Sequence, residues 1–221
     1  MREQRTVKRT MKIGIFGGTF DPVHIGHLRA AEEIREEYFL DKVYFVPAYI
    51  PPHKRTRKIT DPALRLMMLR AAIRGNKYLL ASEIEIKNRG ISYSINTVKT
   101  FGKRFEKLYF IIGSDAFYEI ETWHNFREIF SHTNFIIMTR PVNGKKTTNN
   151  LFPRSVRKDI DMIGENTFEH ISGKTIHMQA VTQIDVSSTK IREYVKDGKS
   201  VRYLVPRPVE NFINERGLYK E

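Results

Sequence analysis

Two histidines three residues apart, His24 and His27, follow a glycine turn in the run Gly14-Ile15-Phe16-Gly17-Gly18-Thr19-Phe20-Asp21-Pro22-Val23-His24-Ile25-Gly26-His27. At i and i+3 their side chains share one face of a helical turn. Glycines let backbone N–H groups approach a ligand closely, and a helix N-terminus attracts anions through its free N–H groups and its dipole. The arrangement is suited to phosphate. It is neither the G-x-G-x-x-G dinucleotide fingerprint nor the G-x-x-x-x-G-K-[ST] loop, and a Gly-Gly pair alone marks a packing turn about as often as a ligand site. A zinc site through H-x-x-H is the rival reading. The absence of an adjacent glutamate base and the anion-binding setting make zinc the poorer choice.

Other residues able to do chemistry stand where strands end or helices begin. Gly113-Ser114-Asp115 follows the apolar run Leu108–Ile112, and Pro51-Pro52-His53-Lys54-Arg55 follows Lys42–Val46. Ser187-Ser188-Thr189 opens a helix with Lys190 and Arg192 beside it. Such a serine is commonly a plain N-cap, but guanidinium forks next to it suit phosphate oxygens. Trp123 is the single tryptophan.

The elements that position these residues alternate between strands and helices. Lys12–Phe16, Lys42–Val46, Leu79–Ile86, Leu108–Ile112, Phe135–Met138 and Thr175–Met178 read as strands. Helices are expected from about His24 to Tyr38, from Asp61-Pro62 to about Arg74, from Ser92 to Phe105, through Phe117 and Ile120, up to Phe130, from Ser187, and over Pro208 to Glu215. Several strands are apolar without alternation, which predicts a mostly parallel sheet covered by helices on both faces. In such a sheet ligands sit beyond the carboxyl ends of the strands. Residues 1–11 read as a disordered basic tail, with Met11 directly before the first strand, and 12–221 as one α/β domain.

Composition sets the outer limits. The chain has 221 residues, 40% of them hydrophobic, with a formal net charge of +13 and no cysteine. A core can form, and disulfides, thiolate metal sites and a cysteine nucleophile are excluded. The charge favours polyanions: nucleic acid, an anionic surface, or small phosphorylated substrates. The cations are scattered, with clusters only in the tail and at 54–58, so a basic nucleic-acid-binding module is the weaker alternative. No run approaches the length of a membrane span, and a cytoplasmic protein without membrane contact is expected.

The G-G-T-F-D-P-x-H-x-G-H run resembles the nucleotidyltransferase superfamily with the [HT]-x-G-H signature. Pro51-Pro52-His53-Lys54, Ser92-Tyr93-Ser94-Ile95, Gly113-Ser114-Asp115, Trp123, Ser187-Ser188-Thr189-Lys190-Ile191-Arg192 and Gly217-Leu218-Tyr219 bring the likeness closer to the bacterial nicotinate-nucleotide adenylyltransferases. The resemblance implies a single Rossmann-like domain and adenylyl transfer from ATP to nicotinate mononucleotide, giving deamido-NAD and pyrophosphate. Mg²⁺ would be carried on the ATP phosphates, with no protein metal site. It implies catalytic roles for His24 and His27. ATP would be held by Gly17, Gly18, Thr19, Phe20, Gly113, Asp115, Ser188, Thr189 and Arg192, and the mononucleotide by His53, Lys54, Tyr93, Ser94 and Trp123. Partners are the two nucleotides, and homo-oligomeric assembly is compatible with the resemblance. Family members more often carry threonine where Ser94 stands and aspartate where Asn96 stands. Pantetheine-phosphate adenylyltransferases and cytidylyltransferases are the nearest alternatives, but they favour T-x-G-H and lack the Trp123 context.

Overall fold

The computed structural model describes residues 9–52, 59–139 and 152–221. In chain order these form β1 (Arg9–Gly18), α1 (Ile25–Glu37), β2 (Lys42–Pro47), α2 (Pro62–Ala72), β3 (Leu79–Ala81), α3 (Ile84–Asn88), α4 (Ser94–Gly102) and β4 (Phe105–Gly113). Then follow α5 (Ser114–Tyr118), α6 (Phe126–His132), β5 (Asn134–Thr139), α7 (Arg154–Arg157), β6 (Ile160–Gly164), β7 (Thr167–His170), β8 (Thr175–Ala180), α8 (Ser188–Lys196) and α9 (Arg207–Glu215). One sheet takes the order β3-β2-β1-β4-β5-β8-β7-β6. Its first six strands are parallel, and β7 and β6 add an antiparallel end.

Strand period explains how wholly apolar strands serve two faces. Ile13 and Ile15 of β1, Phe110 and Ile112 of β4, and Phe135 and Ile137 of β5 join Ile95, Val98 and Phe101 of α4 in one cluster. Phe16, Ile111 and Ile136 point the other way, into a second cluster with Ala31 and Ile34 of α1, Met68 and Leu69 of α2, Ile191 of α8 and Val209 of α9. The strand order reverses between β1 and β4, which leaves a crevice above their carboxyl ends.

Several boundaries differ from the sequence expectation. β1 starts at Arg9, so residues 9–11 are not tail: Arg9 pairs with Phe105, a register shift precedes Lys12, and Met11 packs on the core. A long β4 supplies ladder partners that hydrophobic pattern alone does not reveal. Residues 1–8 lie outside the described residues. The expected strand Leu79–Ile86 ends at Ala81, and Ile84–Asn88 is helical. β3 pairs only with β2, and β2 ends at Pro47, which has no N–H to extend a ladder. Beyond it Glu83 and Lys87 form an i,i+4 ion pair on a helical turn. The expected helix Ser92–Phe105 is shorter at both ends, because Phe105 already belongs to β4.

Candidate active site

The site is built where β1 runs into α1. His24 is the N-cap of α1 in extended conformation, and the backbone N–H of His24 donates to His27 Nδ1 at 3.2 Å. That bond makes His27 Nδ1 an acceptor, so the neutral ring carries its proton on Nε2. The two rings stack, with centroids 3.6 Å apart and planes at 25°. Gly26 leaves room for this. A Cβ there would stand 3.0 Å from Val186 Cγ1 and 3.2 Å from His24 Nδ1. His24 is buried, and burial lowers its pKa to about 4. Its Nδ1 is buried and has no hydrogen-bond partner among the described residues.

The turn before His24 is held by its carbonyls. Arg65, fully buried on α2, donates to Thr19 O at 2.7 Å, Thr60 O at 2.9 Å, Ala48 O at 2.6 Å and Tyr49 O at 3.3 Å. Arg192 Nη1 donates to Asp21 O at 2.6 Å, and Ser188 Oγ donates to Pro22 O at 2.9 Å. Three carbonyls of the turn are thus occupied by donors from α2 and α8. Burial pulls the Arg65 pKa down and the charge of Asp21 pulls it up. The buried Asp21 carboxylate accepts from Tyr219 Oη at 2.8 Å and from the Thr60 N–H at 3.3 Å. Burial first, then the Asp21 charge, pushes the Tyr219 hydroxyl pKa upward.

A cavity of about 410 Å³ above this turn is lined by Thr19, Asp21, His24, His27, Ser188, Thr189 and Arg192, among others. A neighbouring cavity of about 250 Å³ shares His24 and His27 and adds Gly113 and Asp115. Six of the expected residues therefore meet around the two histidines. Arg192 Nη2 also lies 3.3 Å from Thr189 Oγ1. Gly17 and Gly18 close β1 and line neither cavity. The close approach that Gly18 permits is to the Phe20 ring, which a Cβ would meet at 2.8 Å. Phe20 itself is buried, edge-on to His27 at 5.0 Å, with φ of 50°.

Tyr93, Ser94 and Trp123 meet in a separate cavity of about 370 Å³ with Pro52, Ser92, Thr122 and His124. Trp123 is partly buried against the core and edge-on to Phe110 at 6.0 Å, while Tyr93 lies against His124 with centroids 4.3 Å apart. Asn96 is exposed on α4. His53 and Lys54 lie outside the described residues. Arg65, Asp21 and Tyr219 are the residues sequence reasoning missed as site supports: Asp21 stands in the histidine run and Tyr219 in the Gly217-Leu218-Tyr219 motif, but neither was given a role, and nothing pointed to Arg65. Among the described residues no group of three or more His, Cys, Asp or Glu side chains is arranged to hold a metal ion. No described helix is long and apolar enough to cross a membrane.

A Rossmann-like sheet with a stacked H-x-G-H pair at its switch point defines a nucleotidyltransferase class, and the sequence pattern of the cytidylyltransferase-like family matches residues 15–194. The chain belongs to that family. It is 41% identical over 219 residues to a probable nicotinate-nucleotide adenylyltransferase of Thermoanaerobacter sp. (strain X514), covering 97% of each chain. It is 38% identical over 215 residues to a protein of the same description from Desulfatibacillum aliphaticivorans, covering 95% of this chain and all of that one. The fold is shared with the Plasmodium falciparum nicotinic acid mononucleotide adenylyltransferase complexed with NaAD. That match has a TM-score of 0.71 at 17% identity and covers 95% and 98% of the two chains.

Arg65→Met leaves four carbonyls without their donor, and a loss of about 3 kcal/mol in urea unfolding is expected. The His24 pKa sets a pH dependence. The unfolded chain protonates this histidine near 6.5 but the folded chain only near 4. Its contribution is therefore complete above pH 6.5 and declines as pH falls toward 4, by about 3 kcal/mol. Burial lowers the pKa of His170 and His177 too, with the same sign. His24→Asn should reduce the slope of unfolding free energy between pH 6.5 and 4 while leaving the slope above pH 7 unchanged.

Proposed function

We propose that the protein transfers the adenylyl group of ATP to nicotinate mononucleotide, giving nicotinate adenine dinucleotide and pyrophosphate, a step of NAD biosynthesis. The observation that carries this reading is the pairing of two cavities at the strand ends. One joins the histidine pair to α8, and the other is an aromatic pocket around Trp123. Relatives of about 40% identity spanning nearly the whole chain bear the corresponding name.

The mononucleotide phosphate is ionised at neutral pH and attacks the α-phosphorus of ATP in line. A new P–O bond forms there as the bond to the β-phosphate oxygen breaks, and pyrophosphate leaves. No proton has to be removed from the nucleophile, so the site works by positioning and by stabilising charge. His27 offers Nε2–H. His24, neutral when the site holds no anion, becomes easier to protonate beside a triphosphate, since a nearby anion favours imidazolium. Thr19 and Asp115 line the two neighbouring cavities that share the histidines, and Ser188, Thr189 and Arg192 meet the β- and γ-phosphates. Ser188 and Arg192 each also hold a carbonyl of the turn. Gly17, Gly18 and Phe20 contribute through the backbone.

Trp123 and Tyr93 supply aromatic faces for the pyridine ring, with Ser94 at the start of α4. His53 and Lys54 meet the mononucleotide phosphate. Mg²⁺ is part of the nucleotide substrate, carried on its phosphates, and the reaction belongs to the cytoplasm with its charged nucleotides.

Pyrophosphate release is measured with ATP, Mg²⁺ and nicotinate mononucleotide, nicotinamide mononucleotide or phosphopantetheine. Release with nicotinate mononucleotide is expected; none with any acceptor, or a preference for phosphopantetheine, overturns the reading. His27→Ala should lower kcat by about 100-fold or more with little change in either KM, as for a contact strengthened in the transition state. Equal losses in kcat and mononucleotide binding would remove that role.

A further inference from the structure

Asp21 puts a carboxylate at the border of the histidine cavity, where negative charge opposes an anionic ligand. Its oxygens are held elsewhere. Oδ1 accepts from Tyr219 Oη at 2.8 Å and Oδ2 from the Thr60 N–H at 3.3 Å. Neither Tyr219 nor Thr60 lines the histidine cavity. Both line an adjoining cavity of about 550 Å³, which shares Asp21, Thr189 and Arg192 with it and is lined by no histidine among the described residues. The two donors therefore draw the carboxylate toward the side without histidines. Arg192, the cation common to both cavities, is engaged with other atoms: Nη1 donates to the Asp21 carbonyl at 2.6 Å and Nη2 to Thr189 Oγ1 at 3.3 Å.

The phenol is brought from the far end of the chain and fixed there. After α9 the Leu218 N–H donates to Ile213 O at 3.0 Å, and Gly217 and Tyr219 take left-handed conformations with φ of 60° and 65°. At Tyr219 this is uncommon for a residue with a Cβ. Leu218 and Tyr219 both pack against the second core cluster, so the body of the domain sets where the hydroxyl points. Burial, and then the charge of Asp21, keep the proton on the phenol oxygen, which makes it the donor. We propose that Tyr219 is a positioning residue for the phosphate cavity: its bond to Asp21 keeps that carboxylate turned from the anion and leaves Arg192 to the phosphates. The proposal rests on the assignment of the histidine cavity to the phosphates of ATP. Tyr219 acts through Asp21. A carboxylate released from the phenol would turn toward the anion or compete with it for the Arg192 guanidinium, and either weakens phosphate binding.

The test combines calorimetric binding of Mg²⁺-ATP with steady-state kinetics read by pyrophosphate release. Both are measured on the full chain, Tyr219→Phe, Asp21→Asn and the double variant Asp21→Asn/Tyr219→Phe. Tyr219→Phe keeps the ring and removes the donor. It should raise Kd and KM for ATP about ten-fold, the size expected of one like charge a few ångströms away in a partly solvated site, while KM for nicotinate mononucleotide stays within about two-fold. In a chain already carrying Asp21→Asn there is no charge to release, and adding Tyr219→Phe should change ATP affinity by less than about two-fold. The ten-fold ratio should also shrink to about three-fold as ionic strength rises from about 0.05 to about 0.5 M. A role in packing alone gives neither dependence. Equal changes in the two KM values, or equal losses with and without the Asp21 charge, overturn the proposal. If Tyr219→Phe does not fold, a loss of ATP affinity greater than about two-fold between Asp21→Asn and the double variant overturns it alone. The parent chain separates the two levels. No ATP binding there removes the assignment of the cavity and this proposal with it, whereas ATP binding that Tyr219→Phe leaves unchanged removes only the role of Tyr219.

Discussion

A loop suited to a polyanion must keep its own negative ends turned away, and here one guanidinium carries most of that constraint. Arg65 reaches from α2 to carbonyls of the β1–α1 turn, of the β2 exit and of the segment before α2. Burying a guanidinium without partners costs several kcal/mol, and these bonds offset the cost. The dependence runs both ways. The cation is tolerated because three chain segments offer it oxygen, and those segments are oriented because the cation needs them. Lysine could not substitute, since an ammonium lacks the planar fork that reaches several acceptors in fixed directions. Arg192 and Ser188 repeat the device from the other side of the cavity.

The electrostatics of the histidine pair follow from the same packing. The glycine between them leaves space that both the His24 ring and Val186 border, and the burial of the ring removes its charge. The resting site therefore has a neutral imidazole and a fixed tautomer beside it. Positive charge at this point would come with the ligand.

The sheet, α1 and the starts of α2 and α8 were legible in the sequence because each carries a local signal. Asp61 before Pro62 does accept from the Ala63 and Leu64 N–H groups, and Ser187 from that of Lys190. Many of the candidate residues do lie together around the histidine turn, since they fall at strand ends and helix starts. Arg65 was not legible. On helical periodicity it is one more cation beside Leu64 and Leu66, and only the loops arriving from residues 19, 48 and 60 bury it. Helix α3 was hidden by Ile84 and Ile86, whose alternation imitates a strand. The β6–β7 hairpin has mostly exposed residues on its outer strand and hence no clear hydrophobic period.

The bond between Tyr219 and Asp21 joins residues 198 positions apart. A chain growing from its amino terminus makes the histidine turn early, yet the carboxylate beside it gains its phenol partner only when residue 219 has left the ribosome. Most strands of the sheet can pair before that moment, so the order of synthesis separates assembly of the core from completion of the cavity above the histidine turn. A chain cut just before Tyr219 would keep its strands whole and leave this corner open.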